Sequence, residues 1–167
     1  RNAETLWPAT SLCVEALVRS GDDQEAEGQL AAALSDGRHD VSAELGMRAL
    51  AMVDELLLNA ATASADAARS QSATEQTRHA LVLLRAIHGS QLALRRDPKL
   101  LLNMATLQLR VEGVSAAWQT ALQAKRALAT ATAGPNDSAA DELDALRRQL
   151  ASLLSHLRTL RHGSIEG

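Results

Sequence analysis

The pattern of hydrophobic and polar positions predicts helices along almost the whole chain. Apolar residues recur three or four positions apart, the spacing that places them on one face of an α-helix. Residues that favour turns or helix ends separate the stretches with this spacing. The seven predicted helices cover residues 9–20, 24–35, 43–62, 72–96, 98–112, 115–132 and 139–161.

Glycine and proline mark several of the predicted helix ends. Gly21 ends the first helix because glycine tolerates a positive φ, and Gly113 separates the fifth helix from the sixth. Asp97 and Pro98 stop one helix and start the next, since the residue before proline is steered out of the α region. Residues 133–137, with the sequence Ala-Gly-Pro-Asn-Asp, are predicted to form a loop.

The middle of the chain is expected to contain a long connection. Residues 60–71 are small and polar, and no apolar row runs through them. Ser72 and Glu75 then have the spacing of a capping box, in which both side chains bond to free backbone N–H groups at a helix start. The fourth helix is therefore predicted to begin at Ser72 and to end near Arg96.

The first helix is expected to bury a row formed by Leu12, Ala16 and Leu17. Cys13 lies beside this row, so a buried and inert thiol is a better interpretation than a nucleophile. As the chain has one cysteine, an internal disulfide is excluded, and this residue alone cannot build a zinc site.

Composition narrows the fold class to all-α. The chain has 167 residues, a formal charge of −3 and a 46% hydrophobic content, but only 1% aromatic residues. Strands favour β-branched and aromatic residues, so the composition argues against an all-β domain. No apolar run reaches the ~20 residues of a membrane-spanning helix. One domain is predicted over residues 1–162. Residues 163–167 are interpreted as a linker or tag remnant.

Small residues recur at intervals that suggest helical hairpins packed closely against one another. The chain resembles tetratricopeptide-repeat proteins at three places, although the large aromatic positions of that family are empty here. The positions that carry the resemblance are Gly21, Ala26, Ala33 and Leu34, then Ala86, Ala93, Leu94, Asp97 and Pro98, then Asn103, Met104, Ala105, Ala117 and Ala124. The resemblance implies antiparallel helical hairpins in a right-handed array, with an irregular helical bundle as the alternative.

The resemblance also implies a partner-binding groove, because the first helix of each tetratricopeptide pair lines a concave surface. Polar residues spaced 4, 3 and 4 positions apart form one stripe on the fifth helix. The implied contact residues are Lys99, Asn103, Thr106 and Arg110, with Ser11, Glu15 and Arg19 as their counterparts on the first helix. The alternative is that both stripes are ordinary solvated faces.

The last predicted helix carries leucines that alternate three and four positions apart, as in a heptad seam. The seam consists of Leu143, Leu146, Leu150, Leu153, Leu157 and Leu160. One interpretation is a capping helix that packs on the sixth helix. The other is an interface with a partner chain or with a second copy, which would form a homodimer.

The sequence offers no set of residues for catalysis or for holding a cofactor. The five histidines lack the paired spacing of metal ligands, so no enzyme activity, metal or cofactor is expected. The basic second half has one aromatic residue, Trp118, and no dense Lys/Arg clusters, which argues against nucleic-acid binding. We therefore expect an intracellular scaffold segment, cytoplasmic or nuclear, that binds a partner peptide or helix. A self-associating structural bundle and a ligand-sensing regulatory domain remain alternatives.

Overall fold

The computed structural model describes residues 3–35, 39–62, 67–91, 94–131 and 137–163. Of these residues 93% are helical and none belongs to a strand, so the fold is all-α. The described part contains seven α-helices: α1 (Ala3–Ser20), α2 (Asp23–Ser35), α3 (His39–Thr62), α4 (Ala67–Ser90), α5 (Pro98–Val111), α6 (Val114–Thr130) and α7 (Asp137–Gly163). Of the predicted loop at 133–137, only Asp137 lies inside the described residues, and of the tail at 163–167 only Gly163.

Three predicted helix ends are confirmed by their backbone geometry. Gly21 has a φ of 91°, and its N–H and that of Asp22 bond to the carbonyls of Val18 and Leu17 in a Schellman motif. Asp97 caps α5, because its Oδ1 accepts a hydrogen bond of 2.8 Å from the N–H of Leu100. Gly113 has a φ of 98° and separates α5 from α6.

The long connection predicted at residues 60–71 is wrong. Helix α3 continues to Thr62 and α4 begins at Ala67, so Ser72 and Glu75 lie inside a helix and do not cap it. The physical reason is that alanine is the strongest helix former, and a stretch without an apolar row can still be helical. A capping-box spacing in such a stretch therefore carries little information.

The predicted end of the fourth helix near Arg96 is also wrong, because α4 ends at Ser90. Gln91 leaves the helix and directs its side-chain amide to α3, where Nε2 donates a hydrogen bond of 3.0 Å to the carbonyl of Ser42. The same amide occupies the space where a Cβ at Gly46 would lie. The absence of a side chain at Gly46 thus allows the end of α4 to pack closely on α3.

The helices form two compact units, residues 1–94 and residues 95–167. In the first unit α4 packs against α1, α2 and α3, and its residues 79–84 are all buried, as expected for a helix surrounded by others. Arg78 of α4 also binds Asp23 of α2 through two hydrogen bonds of 3.0 and 2.6 Å. The prediction of one domain over residues 1–162 stays a prediction.

The second unit consists of α5, α6 and α7, and α6 packs against both other helices. Its core combines alanines of α6 with leucines of α5 and α7. The buried members are Leu101, Leu102, Ala105, Ala117, Ala121, Ala124, Ala127, Leu128, Leu146, Leu150, Leu154 and Leu157. Small side chains on α6 let the neighbouring helices approach closely, and leucines from both sides fill the remaining space.

The predicted apolar row of the first helix is wrong in most of its members. Leu12 is 66% exposed, Ala16 and Cys13 are exposed, and Leu17 is half-buried. Ala3, Val14 and Val18 are buried instead. These three residues lie on one helical face with intervals of eleven and four positions, whereas Leu12 and Ala16 lie on the other side. Cys13 is therefore an exposed free thiol and not the buried one that was expected.

Candidate functional site

A groove between α6 and α7 is a recess with an apolar floor. Its volume is about 440 Å³, within the range of binding clefts, roughly 300–1,000 Å³. We call it the α6–α7 groove. It is lined by Lys125, Leu128 and Ala129 of α6 and by Arg147, Leu150, Ala151, Leu154 and Arg158 of α7.

The floor of the α6–α7 groove is a direct consequence of where small residues lie. Leu128, Leu150 and Leu154 belong to the core of the unit and present only their edges. Ala129 and Ala151 are exposed and leave space above these leucines because a methyl group fills so little volume. The result is an apolar trough that a partner's side chains can enter.

The charged residues that line the α6–α7 groove are all cationic, and we call them its rim. Lys125, Arg147 and Arg158 line it together with apolar residues, and no acidic side chain does. Arg147 holds Asp144 of its own helix at 2.7 Å, but both side chains are more than half exposed, so this pair contributes little. Lys125 and Arg158 are not ion-paired with any residue that the structure describes.

Other recesses of the second unit are cationic as well. Arg95, Arg96 and Arg126 line one with a volume of about 410 Å³. In another, the guanidinium of Arg161 lies 5.1 Å from the ring centroid of Trp118, a cation–π distance. Cations are thus present at several recesses in the described part of the second unit.

The predicted contact residues of the fifth helix form one surface stripe. Lys99, Thr106 and Arg110 are exposed and Asn103 is half-buried, while Leu100, Met104 and Leu107 beside them are buried. Lys99 approaches Glu142 of α7 at 3.8 Å, and the hydroxyl of Thr106 donates to the carbonyl of Leu102. The stripe exists as a surface, and its role in binding stays a prediction.

The predicted counterparts on the first helix are engaged within their own unit. Arg19 contacts Glu15 at 2.6 Å and Glu75 of α4 at 3.3 Å. The hydroxyl of Ser11 donates to the carbonyl of Pro8. Arg19 and Glu75 thus connect α1 to α4. Two of the predicted contact residues, Glu15 and Arg19, therefore form ion pairs within the first unit. Their role in partner binding also stays a prediction.

The leucine seam of α7 packs inside the second unit. Leu146, Leu150 and Leu157 are buried in its core, while Leu143 and Leu153 pack against that core and are partly buried. Leu160 is half-buried. The seam thus occupies the position described by the first interpretation, in which α7 packs on α6. The homodimer through this helix stays a prediction.

Of the residues that line the α6–α7 groove, sequence reasoning named Leu150 as part of the leucine seam and missed the others. The signal for four of the others was present in α7, where Arg147, Ala151, Leu154 and Arg158 follow each other at intervals of four, three and four. Arg147 and Arg158 lie at the two ends of this face, which the spacing of the leucines does not indicate. The contribution of Lys125 depends on how α6 and α7 pack, which no local pattern indicates.

Within the described ranges, no group of three His, Cys, Asp or Glu residues is placed to hold a metal ion. None of the helices described is both long and apolar enough to cross a membrane. The chain matches no family model, no curated protein and no solved structure.

Proposed function

We propose that this chain is a protein-binding scaffold segment and that the α6–α7 groove receives a helix or peptide of its partner. The observation that carries the proposal is the groove itself, an apolar trough whose charged lining residues, Lys125, Arg147 and Arg158, are all cationic. Few surface grooves of a folded chain combine an apolar floor with charged residues of a single sign. Such surfaces often mark interaction sites. The proposed role requires no catalytic residue.

We also propose that the helices form a degenerate array similar to tetratricopeptide repeats. Successive helices pair as α1 with α2, α3 with α4 and α5 with α6. Small residues that carried the resemblance are buried, among them Ala26, Ala86, Ala117 and Ala124. Against regularity, α2 packs more extensively on α4 than on α3, so the first unit departs from simple stacking in chain order.

An intracellular setting, cytoplasmic or nuclear, belongs to the same proposal. Cys13 is an exposed free thiol, and free thiols persist in reducing compartments.

The proposed function is tested by comparing the proteins that are captured by two variants, which carry the same new side chain at adjacent residues. Ala151→Arg fills the α6–α7 groove, whereas Ser152→Arg places the same side chain at the next residue, which is exposed and does not line the groove. Circular dichroism first establishes that both variants are folded. We expect the unmodified chain and Ser152→Arg to retain the same proteins, and Ala151→Arg to lose them by about tenfold or more.

Replacement of seam leucines such as Leu150 or Leu157 is unsuitable for this test, because both are core residues and a charged side chain there would unfold the unit. Retention of the same proteins by Ala151→Arg as by Ser152→Arg would show that the groove is not the binding site.

A further inference from the structure

We infer that the occupant of the α6–α7 groove is an acidic amphipathic helix of a partner protein, with aliphatic side chains in the trough and carboxylates on the cationic rim. The inference rests on the proposed function and adds the chemistry of the partner. It depends on three observations, namely the arrangement of charges at the rim, the dimensions of the groove, and the packing of the unit that contains it.

The arrangement of charges selects a partner with acidic flanks. Arg147 and Arg158 lie on one face of α7 and Lys125 faces them from α6. No carboxylate lines the groove, so carboxylates supplied by a partner would form ion pairs with these cations. Exchange of Asp144 for a partner's carboxylate at Arg147 costs little, because that intrahelical pair is exposed.

The dimensions of the groove fit a helix. Arg147 and Arg158 are eleven residues apart in α7, which corresponds to about 16 Å or three helical turns. A partner helix of that length presents aliphatic side chains at intervals of three and four residues, the recognition mode of helices in hydrophobic grooves. The trough above Leu128, Leu150 and Leu154 would receive them, and Ala129 and Ala151 leave room for close approach.

The packing of the unit leaves a place for a further helix. Helix α6 packs against α5 and α7, and α7 contacts α5 less extensively than it contacts α6. A helix in the α6–α7 groove would add a fourth helix to a three-helix unit and cover the edges of its core leucines. Association would then be driven by burial of apolar surface, with the rim charges setting orientation and encounter rate.

A second copy of the chain is a weaker candidate for the occupant. Its α3 is acidic and exposes Met47 and Leu58, which are 67% and 65% exposed. However, Asp54 interrupts the row between these residues and is itself exposed. The row therefore lacks the continuous apolar face that the trough requires, so we assign the groove to a helix of another protein.

Binding of designed peptides to the full chain tests the inference by fluorescence anisotropy. The acidic probe is an amphipathic peptide of about 18 residues, or five helical turns, with leucines on one face and glutamates on its flanks. The second probe carries lysine in place of every glutamate, and the third scrambles the acidic sequence so that its leucines no longer share a face. We expect the acidic probe to bind about tenfold or more tightly than either of the others, with an affinity that falls as salt increases.

Matched charge reversals connect the preference to the rim. Lys125→Glu with Arg158→Glu should remove the preference for the acidic probe or reverse it. Arg126→Glu with Arg148→Glu makes the same change in net charge on the same two helices, at exposed residues that do not line the groove. This control should keep at least most of the preference for the acidic probe.

The outcomes separate the inference from the proposed function. Equal affinity for the acidic and basic probes, with both lost in Ala151→Arg, would overturn the acidic preference and leave helix binding standing. No probe bound, together with partner capture that does not depend on Ala151, would overturn both. A concentration-dependent dimer that Ala151→Arg abolishes would identify the occupant as a second copy and overturn the assignment made here.

Discussion

At the scale of single residues, His79 is the most unusual polar group of the first unit. It is 5% exposed, and its Nε2 has no hydrogen-bond partner among the described residues. Burial lowers the pKa of His79, Glu15 and Glu75 oppose this shift, and Arg19 adds to it. The imidazole is consequently held neutral in the folded chain at a pH where an unfolded histidine is already gaining its proton.

The lowered pKa of His79 predicts a loss of stability in mild acid. The unfolded chain binds the proton near pH 6.5, while the folded chain resists it, so the free energy of unfolding should fall as the pH decreases below about 6.5. The loss ends once the pH is below the folded pKa. We expect His79→Leu to reduce the decrease in urea-unfolding free energy between pH 7.5 and pH 5.

His156→Leu is the matched control for this prediction, because it makes the same substitution at a histidine that is exposed on α7. An identical decrease in the unmodified chain and in His79→Leu would mean that His79 is not held neutral by burial.

Two helical glycines differ in what surrounds them, and this difference predicts that alanine stabilises the chain at one of them but not at the other. Gly28 of α2 has open space around a built Cβ, so Gly28→Ala should stabilise the chain by about 0.5–1 kcal/mol. At Gly46 a Cβ displaces the amide of Gln91 from its hydrogen bond with Ser42. That loss of about 1 kcal/mol offsets the gain in helix propensity. Chemical denaturation of both variants measures the contrast, and an equal gain at Gly46 would contradict it.

At the scale of elements, the alanines of α6 determine how closely α5 and α7 approach. Ala121 has no exposed surface and belongs to the core of the unit. Helices packed this closely cannot accept a longer side chain without moving apart, because protein interiors are packed at nearly crystalline density.

Ala121→Leu should therefore destabilise the second unit by about 1–3 kcal/mol, the usual cost of overpacking. The same substitution at Ala129, which is exposed on the same helix, should change the free energy of unfolding by less than about 0.5 kcal/mol. Urea denaturation followed by circular dichroism compares the two variants. Equal effects would show that α6 has room at Ala121 and that small residues are not required there.

At the scale of the whole molecule, the distribution of charge and of exposed apolar residues bears on association. Of the full sequence, residues 1–94 have seven basic and thirteen acidic side chains, whereas residues 95–167 have ten and seven. Charge asymmetry of this kind can orient a charged partner and speed its encounter with the chain. The core leucines of α7 are largely buried by packing within the second unit, so that only their edges reach the α6–α7 groove.

We expect the isolated chain to have the mass of one copy over a wide range of concentration. Static light scattering coupled to size-exclusion chromatography measures this mass. A mass that rises with concentration would contradict the expectation. Leu12→Glu and Leu58→Glu would then test whether the exposed apolar positions of α1 and α3 cause the association.

Much of the fold could be predicted from local chemistry. Gly21 and Gly113 adopt positive φ, and Asp97 caps α5, because these residues act through their own backbone or its nearest neighbours. The buried face of α1 and the candidate site could not be predicted in the same way. Leu12 and Cys13 were expected to be buried, yet which face of α1 is covered depends on the helices around it.

The sequence by itself determined that this chain is helical, and it determined most helix ends, since propensity, capping and backbone freedom depend on residues close together along the chain. Only the tertiary structure decided that the seam of α7 packs on α6 and that Lys125 faces Arg147 and Arg158 across an apolar trough. The physical reason is that burial and charge proximity depend on which helices meet, and residues far apart in sequence make that choice together.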